Sequence, residues 1–366
     1  MRRAVGVVPA DRRVFHFAGD DRSGVTRVLL TFAGAPFPFR QTFVLEPEPM
    51  DGEVGSDWLR RMGASVEAPL PGRLSRLRTY RRVLKPGTVA VAHIDSDVVW
   101  SYLARRAGMQ RDVRWVAMRH NTGNLAAEPS RGWGGYWPRF LAQGYRTADC
   151  TVAVGPDVKS DLEVHGIRSV EIRNPVDLDA LGRMPLPVDA GRRLLFMGRL
   201  NLPDALVYKD LETVLHALAL AKACGLRLMV AGDGPRQPFY ETLARDLGLS
   251  GNVEFLGWTD PMAAMADSGV VILSSRGPEG YPMVGAEALA AGRTLVFSSG
   301  CGMSQFSEVG LPFAEGDPAA LASVLRAVAT TTSAEAEIAA RRGRLWAGEH
   351  HDPQRWARRW SQVLRG

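Results

Sequence analysis

The chain has 366 residues, 46% of them hydrophobic, and a formal net charge of +6. This length predicts two domains with full hydrophobic cores, and no apolar stretch reaches the roughly 18 residues that a membrane-spanning helix needs. Three widely spaced cysteines and a start without signal-peptide features argue against a disulfide framework and a cysteine-based metal site, so we expect a cytoplasmic protein.

The first half of the chain alternates predicted strands with predicted helices. The strands are expected at Arg13–Ala18, Gln41–Leu45, Val89–Ile94, Val113–Arg119 and Cys150–Val154. The helices include Gly24–Ala33, Leu74–Leu84 and Val98–Ala107. This half also holds the whole basic excess of the chain, which indicates an anionic partner such as a membrane surface or a phosphorylated acceptor.

The second half shows the same alternation. Its strands are expected at Arg193–Met197, Arg227–Ala231, Val253–Leu256, Val270–Leu273 and Thr294–Phe297. Its helices are expected at Leu211–Cys224, Phe239–Leu247, Pro261–Ala266, Met283–Ala291 and Pro318–Ala329. Alternation of this kind predicts an α/β fold with parallel sheets that are covered by helices on both faces.

The turn Asn174-Pro175-Val176-Asp177 marks the predicted domain boundary, because Asn and Pro interrupt regular structure. The predicted domains are 1–173 and 174–350, followed by a C-terminal helix within 351–366. Trp356 and Trp360 lie one turn apart on that helix and need a surface to bury against. We therefore expect the helix to cross back onto the first domain.

The most informative segment runs from Val270 to Ala288. Its apolar run Val270–Leu273 predicts a buried parallel strand, and a helix is predicted after the loop that follows. Glu279 lies in that loop, at the carboxyl end of a strand, where open α/β sheets bind ligands. Glu287 lies roughly 7–8 Å along the helix at ~1.5 Å per residue, and Pro282 suits the first helical turn. Free N–H groups at the helix start predict an anion site between the two acids, as a sugar nucleotide would need.

Two cations follow an earlier strand end. Arg199 comes directly after Gly198, whose lack of a side chain would let the backbone approach a ligand closely. Lys209 follows ten positions after Arg199, and together the two could neutralise a diphosphate. The alternative is that both are solvated basic residues beside a helix start.

Two further strand ends carry signals that are weak when each is taken alone. A strand is followed by a turn that contains Gly232 and Gly234. The run Asn252–Trp258 ends another strand, where backbone groups beside Trp258 could contact a nucleotide base. Their order in the chain, after Arg199 and before Glu279, makes them informative.

Taken in order, these motifs resemble those of the family-four retaining glycosyltransferases of the GT-B fold. The matching motifs are Gly198-Arg199, Lys209, Gly232-Asp233-Gly234-Pro235, Asn252-Val253-x-Phe255-x-Gly257, Glu279-Gly280-Tyr281-Pro282 and Glu287-Ala288-x-Ala290-x-Gly292. The resemblance implies two Rossmann-like doubly wound domains that face a cleft. It also implies that the first domain binds the acceptor and the second binds the nucleotide-sugar donor.

The resemblance implies a role for each matching residue of the second half. Arg199 and Lys209 would bind the donor diphosphate, because a departing nucleoside diphosphate needs positive charge rather than a strong base. Glu279 would contact the donor sugar, and Glu287 would bind the ribose hydroxyls. The residues expected to line the donor near Glu279 are Gly280, Tyr281, Pro282 and Met283.

The first half resembles the family more loosely. Ser23 and Gly24 stand where the family has paired glycines after its first strand, and a donor contact is implied there. His120 ends a predicted strand and matches a family histidine beside the reacting sugar; the alternative is a hydrogen-bonded histidine with a structural role. The loop Asn124–Pro138 is expected to influence acceptor choice.

Asp95-Ser96-Asp97 follows a strand of the first half. In other glycosyltransferases an Asp-x-Asp pair can hold a divalent metal. Here a helix start capped by Asp95 or Ser96 is the favoured interpretation, so no metal is expected.

The basic stretch 73–85 is amphipathic. Leu74, Leu77 and Leu84 can face the core while six cations remain outside. This pattern fits peripheral contact with the inner face of a membrane or with an anionic acceptor, and the alternative is a solvated helix face.

The leading prediction is therefore a glycosyltransferase. It would move a sugar from a UDP- or GDP-sugar to an unknown acceptor with retention of configuration, and without a cofactor or required metal. A glycan, a lipid-linked sugar or a small molecule is the expected acceptor class, ahead of nucleic acid. The rivals are a sugar-nucleotide epimerase of the same architecture and a non-catalytic nucleotide-sugar binding module.

Overall fold

The computed structural model describes residues 12–20, 24–47, 54–70, 75–109, 112–123, 125, 137–187, 189–200, 208–277 and 279–366. The chain forms two compact units, here called the first unit (Met1–Asn174 with Gln354–Gly366) and the second unit (Pro175–Pro353). The predicted donor contact at Ser23 and most of the predicted loop 124–138 lie outside the described residues.

The first unit is a parallel sheet with helices between its strands. Its strands are β1 (Arg13–Asp20), β2 (Arg40–Pro47), β3 (Ser65–Glu67), β4 (Val89–Ala92), β5 (Arg114–Arg119), β6 (Cys150–Ala153) and β7 (Val170–Glu171). Its helices are α1 (Gly24–Gly34), α2 (Gly55–Arg61), α3 (Ser75–Val83), α4 (Asp95–Arg106), α5 (Trp137–Thr147), α6 (Pro156–Val164) and, at the end of the chain, α14 (Pro353–Arg365).

The strand order in the first unit is β3-β2-β1-β4-β5-β6-β7, and every pairing is parallel. The order reverses between β1 and β4, which makes their carboxyl ends the topological switch point of this sheet. All four residues of β4 are buried, as expected for a strand with helices on both faces.

The C-terminal helix α14 packs on the first unit. The ring of Phe32, on α1, lies 4.7 Å from that of Trp356 and 4.8 Å from that of Trp360. Arg12 donates to the carbonyl of Leu364 at 2.8 Å, so the end of the helix is also held by a hydrogen bond. The expected crossing of this helix is confirmed.

The second unit repeats the plan of the first. Its strands are β8 (Arg193–Met197), β9 (Tyr208–Lys209), β10 (Arg227–Ala231), β11 (Val253–Gly257), β12 (Val270–Leu273), β13 (Ser275–Arg276), β14 (Thr294–Ser299) and β15 (Leu311–Ala314). Its helices are α7 (Leu178–Gly182), α8 (Leu211–Leu220), α9 (Gln237–Asp246), α10 (Pro261–Ala266), α11 (Met283–Ala290), α12 (Pro318–Ala329) and α13 (Ser333–His350).

The large sheet of the second unit has the order β11-β10-β8-β12-β14-β15, while β9 and β13 form a separate antiparallel pair. The order reverses between β8 and β12, so their carboxyl ends form the switch point of this sheet. Asp210 caps α8 by accepting from the Thr213 N–H at 3.1 Å, which fixes the helix start beside this edge. Two Rossmann-like parallel sheets, as expected, are therefore present.

Several details differ from the sequence-based expectations. Trp137 and Pro138 begin α5 and do not belong to a loop. Arg76 does not stay outside with the other cations of the basic stretch, because its guanidinium is mostly buried between Asp97 and Glu46. The rest of α3 keeps the predicted amphipathic character, and Arg73 and Leu74 lie outside the described residues. Among the helices described, none has both the length and the apolar character that a bilayer crossing requires.

We predict that Trp360→Ala lowers the free energy of unfolding by about 3–5 kcal/mol, the usual cost of truncating a buried large aromatic residue. Trp360 is 0% exposed, whereas Arg359 on the same helix is exposed. Arg359→Ala is therefore the matched control, with an expected change within about 0.5 kcal/mol. Urea unfolding followed by circular dichroism measures both, and equal effects would contradict the packing of α14 described above.

Candidate functional site

A cation, a hydroxyl and a carboxylate meet at the switch point of the second unit. The ammonium of Lys209 contacts a carboxylate oxygen of Glu279 and lies 3.3 Å from the hydroxyl of Ser275. That hydroxyl donates to the same carboxylate oxygen at 2.6 Å. The side chains of Lys209 and Glu279 are 22% and 10% exposed. We call these three residues the switch-point cluster.

The local backbone explains why the cluster forms. Ser275 lies two residues after the carboxyl end of β12 and pairs with Lys209 across the β9–β13 ladder. The N–H of Glu279 donates at 3.0 Å to the carbonyls of both Gly277 and Cys301, which anchors the loop to the end of β14. Two predicted site residues that are 70 positions apart are thereby brought together.

The glycines that follow β8 and β10 serve the packing of two loops. The Gly198 N–H donates to the Ala231 carbonyl at 3.0 Å, and the Leu200 N–H donates to the backbone carbonyl of Asp233 at 2.8 Å. A Cβ on Gly232, whose φ is +144°, would lie 2.0 Å from the Gly198 carbonyl oxygen. Gly234 is equally constrained, because its Cβ would lie 2.4 Å from the Leu200 carbonyl oxygen.

Gly198 also makes room for the cluster. A Cβ there would meet the Cγ atom of Lys209 at 3.0 Å, so the lysine stem lies against the bare glycine backbone. The sequence suggested that Gly198 allows close approach of a ligand. In the structure, the missing side chain of Gly198 also leaves the space that the Lys209 side chain occupies on its way to Glu279.

Helix α11 begins directly after the cluster. Pro282 is its N-cap residue, one position before the first helical turn in which it was expected. The first N–H groups of any helix lack helical carbonyl partners, so the start of α11 can hold an anion. Glu287 lies in the second turn and is only 6% exposed.

Tyr281 has a structural partner. Its hydroxyl lies 2.6 Å from Nε2 of His351, and the residue is 6% exposed. The phenol ring therefore packs in the protein interior. The contact with the sugar donor that the sequence predicts for Tyr281 would involve its backbone. Gly280 beside it is also buried.

The remaining predicted residues of this unit lie at the same sheet edge but are open to solvent. Arg199 follows the end of β8 and is exposed. Trp258 follows the end of β11 and is 53% exposed. An exposed tryptophan at a strand end is suited to stacking on a flat ring.

Sequence reasoning missed Ser275 and Cys301. Cys301 donates its thiol proton toward the Ser275 carbonyl at 2.9 Å, and burial raises its pKa to about 12. The thiol is thus protonated at neutral pH and is a structural contact rather than a nucleophile. No sequence signal marks either residue, since each is a single small side chain in a loop or at a strand end.

In the first unit, His120 and Gly24 lie at the carboxyl edge of the sheet. His120 follows β5, and Gly24 begins α1 after β1. Burial and the nearby Arg119 lower the pKa of His120 to about 4, so the ring is neutral at neutral pH. The His120 ring stacks on that of His93, with the ring centroids 5.7 Å apart.

Asp95 and Asp97 are held by arginines. Arg119 donates to both oxygens of Asp95 at 2.9 and 3.1 Å, and Asp97 contacts Arg76. Ile94 is the N-cap residue of α4 and no side chain caps it, so the predicted capping role of Asp95 or Ser96 is wrong. Within the described residues, no group of three or more His, Cys, Asp or Glu side chains is placed to hold a metal ion.

Two family models match the two units. Residues 22–180 match the model "Glycosyltransferase Family 4", and residues 191–331 match "Glycosyl transferases group 1". The chain belongs to the family-four glycosyltransferases of the GT-B fold. The family was expected from the order of the motifs, and this expectation is confirmed.

Solved structures of this fold cover nearly the whole chain. Anabaena Alr3699/HepE in complex with UDP-glucose has a TM-score of 0.78 and 19% identity, and covers 96% of this chain and 99% of its own. Sucrose-phosphate synthase from Thermosynechococcus elongatus has a TM-score of 0.74 and 17% identity, with coverage of 97% and 98%. Both share the two-domain GT-B architecture.

Curated relatives match either about half of the chain or most of it. The phosphatidyl-myo-inositol mannosyltransferase of Mycobacterium leprae is 31% identical over 178 residues, which is 46% of each chain. The lipopolysaccharide core biosynthesis glycosyltransferase LpsE of Rhizobium meliloti is 28% identical over 347 residues, 89% of this chain and 91% of LpsE. The chain therefore spans about half of the first relative and most of the second.

We predict that Gly232→Ala destabilises this glycosyltransferase by more than about 1 kcal/mol, because alanine fits neither the φ angle nor the contact with Gly198. Gly251 is the matched control, since it lies outside the left-handed region and a Cβ there would meet nothing within 4 Å. Thermal unfolding of the two alanine variants tests this. A Gly232→Ala protein as stable as Gly251→Ala would show that the two loops do not pack as described.

Proposed function

We propose that this protein transfers a hexose from a UDP- or GDP-sugar to an acceptor hydroxyl, with retention of anomeric configuration. The observation that carries the proposal is the switch-point cluster, which places a partly buried lysine beside a carboxylate at the carboxyl ends of β8 and β12. Open α/β sheets bind nucleotides at this position.

The cations and the helix start would serve the diphosphate. Lys209 and Arg199 would neutralise the charge that develops on the leaving nucleoside diphosphate, and the N–H groups at the start of α11 would add to this stabilisation. Glu279 would position the donor sugar through its carboxylate, in hydrogen-bond reach of Ser275. Glu287 would bind the ribose, and Trp258 would lie against the base.

In the first unit, Gly24 and His120 are the residues that we assign to the transfer step. His120 is neutral, so it can donate a hydrogen bond to a sugar hydroxyl or accept one from it without placing a charge beside the sugar. The remaining surface of this unit would bind the acceptor, which matches its basic excess.

The names of similar proteins suggest which sugar donor and which acceptor this protein would use. HepE was crystallised with UDP-glucose, and the mycobacterial relatives are phosphatidyl-myo-inositol mannosyltransferases. A lipid-linked acceptor at the cytoplasmic face of a membrane is therefore the acceptor class that we favour over a free glycan or a small molecule. The exposed cations of α3 (Arg78, Arg81, Arg82 and the following Lys85) would then touch anionic lipid headgroups.

The proposed chemistry requires no metal ion. Lys209, Arg199 and the helix start supply the positive charge that a divalent cation supplies elsewhere. The Asp-x-Asp pair is engaged by arginines, so its oxygens have partners already.

A donor screen with purified full-length protein tests the proposal. We expect release of nucleoside diphosphate from at least one UDP- or GDP-sugar in the presence of a lipid-linked or glycan acceptor, and no loss of rate on addition of a chelator. Lys209→Ala and Glu279→Gln should each reduce kcat by about 10²–10³-fold, the usual effect of removing one preorganised charge.

The matched controls are Lys222→Ala and Glu254→Gln, which change exposed residues of the same unit. Both should keep the wild-type rate. Full activity of Lys209→Ala would refute the assigned site. An altered sugar nucleotide formed without acceptor would indicate the epimerase, and binding without turnover would indicate the binding module.

A further inference from the structure

Three histidine rings lie in a row in the first unit. His16 is in β1 and is 0% exposed, His93 follows β4 and is 2% exposed, and His120 follows β5. The ring centroids of His16 and His93 are 5.3 Å apart, and those of His93 and His120 are 5.7 Å apart with the planes at 29°. The transfer step proposed above assigns no role to His16 or His93.

Hydrogen bonds determine where the protons of the first two rings lie. The amide nitrogen of Gln41 donates to the Phe32 carbonyl at 2.7 Å, so its oxygen is the atom that faces Nε2 of His16 at 3.0 Å. His16 must carry its proton on Nε2, and its Nδ1 is then an acceptor. His93 lies with Nε2 3.0 Å from that acceptor, so its proton is also on Nε2.

The surroundings keep these rings uncharged. Burial lowers the pKa of His16 to about 3 and holds that of His93 well below its usual value. Phe32 of α1 and Phe43 of β2 pack against His16 with ring centroids 4.5 and 4.9 Å away. Among the described residues, the charged side chain of Arg119 in β5 adjoins His120 and lowers its pKa, and it is itself paired with Asp95 of α4.

Two nitrogens of the row are buried and lack a hydrogen-bond partner among the described residues, Nδ1 of His93 and Nε2 of His120. Buried polar atoms are nearly always paired, and exceptions concentrate at functional sites. Both atoms belong to the two rings that stack on each other. The row therefore ends, on the side of His120, in polar groups that none of the described residues satisfies.

We propose that Gln41, His16 and His93 are positioning residues for His120. The chain of hydrogen bonds fixes one tautomer of His93, and this neutral ring stacks on His120 and holds it in its orientation. The proposal rests on the proposed function, in which His120 takes part in sugar transfer.

The variant Gln41→Glu tests the chain with almost no change of shape, at the loss of the hydrogen bond that the Gln41 amide donates to the Phe32 carbonyl. A carboxylate at this position accepts from Nε2 of His16 and stabilises the imidazolium form of that ring. The imidazolium takes one proton from solvent and donates from Nδ1 to Nε2 of His93, so His93 must move its proton to Nδ1. Gln143→Glu, an exposed change of the same charge on α5, is the matched control.

Nitrogen-15 NMR of histidine-labelled full-length protein reads the result directly. We expect wild-type His93 to be protonated on Nε2 between pH 5 and 8. In Gln41→Glu we expect its proton to move to Nδ1 as the pH falls and His16 becomes charged, with a shift of the His120 resonances. His93→Gln and His120→Gln assign the signals. If Gln41→Glu does not fold, Gln41→Met removes the acceptor without adding charge, and His93 should then populate both tautomers.

Kinetics supply the second readout. His16 is neutral in the wild type at every pH above its lowered pKa, whereas Gln41→Glu raises that pKa, so the charged form appears as pH falls. The acid limb of the kcat profile should therefore move up by at least about one pH unit, with an unchanged KM for the donor. Gln143→Glu should keep the wild-type profile.

Wild-type His93 protonated on Nδ1 would overturn the inference. So would a Gln41→Glu protein in which His93 changes its tautomer but neither the His120 resonances nor the acid limb moves. Absence of transfer by the wild type with every nucleotide sugar counts against the proposed function alone, because the NMR comparison still reports on the chain.

Discussion

The ion pair between Lys209 and Glu279 is the interaction on which the second unit's candidate site depends. Neither group can be left alone at such low exposure, because a desolvated charge without a partner is costly. The Ser275 hydroxyl occupies the same carboxylate oxygen and so limits the directions from which the lysine can approach. A ligand with negative charge would find Lys209 already held in place, which reduces the cost of ordering it.

Much of the surrounding architecture serves to bring this pair together. The β9–β13 ladder sets Lys209 opposite Ser275, and the bare backbone of Gly198 leaves room for the lysine stem. The close loop contacts of Gly232 hold the neighbouring strand end in position. The strand order, which reverses between β8 and β12, determines that all of these groups emerge at one edge of one sheet.

The sequence predicted the regular elements better than the contacts between them. The bounds of β8, β10, β12, α10 and α12 agree with the structure, because each is an apolar run or an amphipathic segment with clear ends. Helix α13 was missed, since its exposed first half lacks an apolar stripe, although the capping box of Thr332 and Glu335 marks its start. The two-residue strands β9 and β13 exist only through their mutual pairing, which no local pattern reveals.

The same limit applies to the side chains of the site. Glu279, Lys209 and His120 were found because motifs place them at strand ends, whereas Ser275 and the histidines packed beside His120 depend on neighbours that are distant in the chain. Lateral packing of this kind is decided by tertiary structure rather than by periodicity. In both units, residues that are distant in the chain contact the groups that the motifs supply: Ser275 contacts Lys209 and Glu279, and His93 stacks on His120.

The central claim is that the switch-point cluster binds a diphosphate, and calorimetric titration of nucleotides tests it most directly. The account predicts that UDP or GDP binds about 10–100-fold more tightly than the corresponding monophosphate, as expected for one charged hydrogen bond, and that Lys209→Ala abolishes this difference. Equal affinity of the wild-type protein for monophosphate and diphosphate would contradict it.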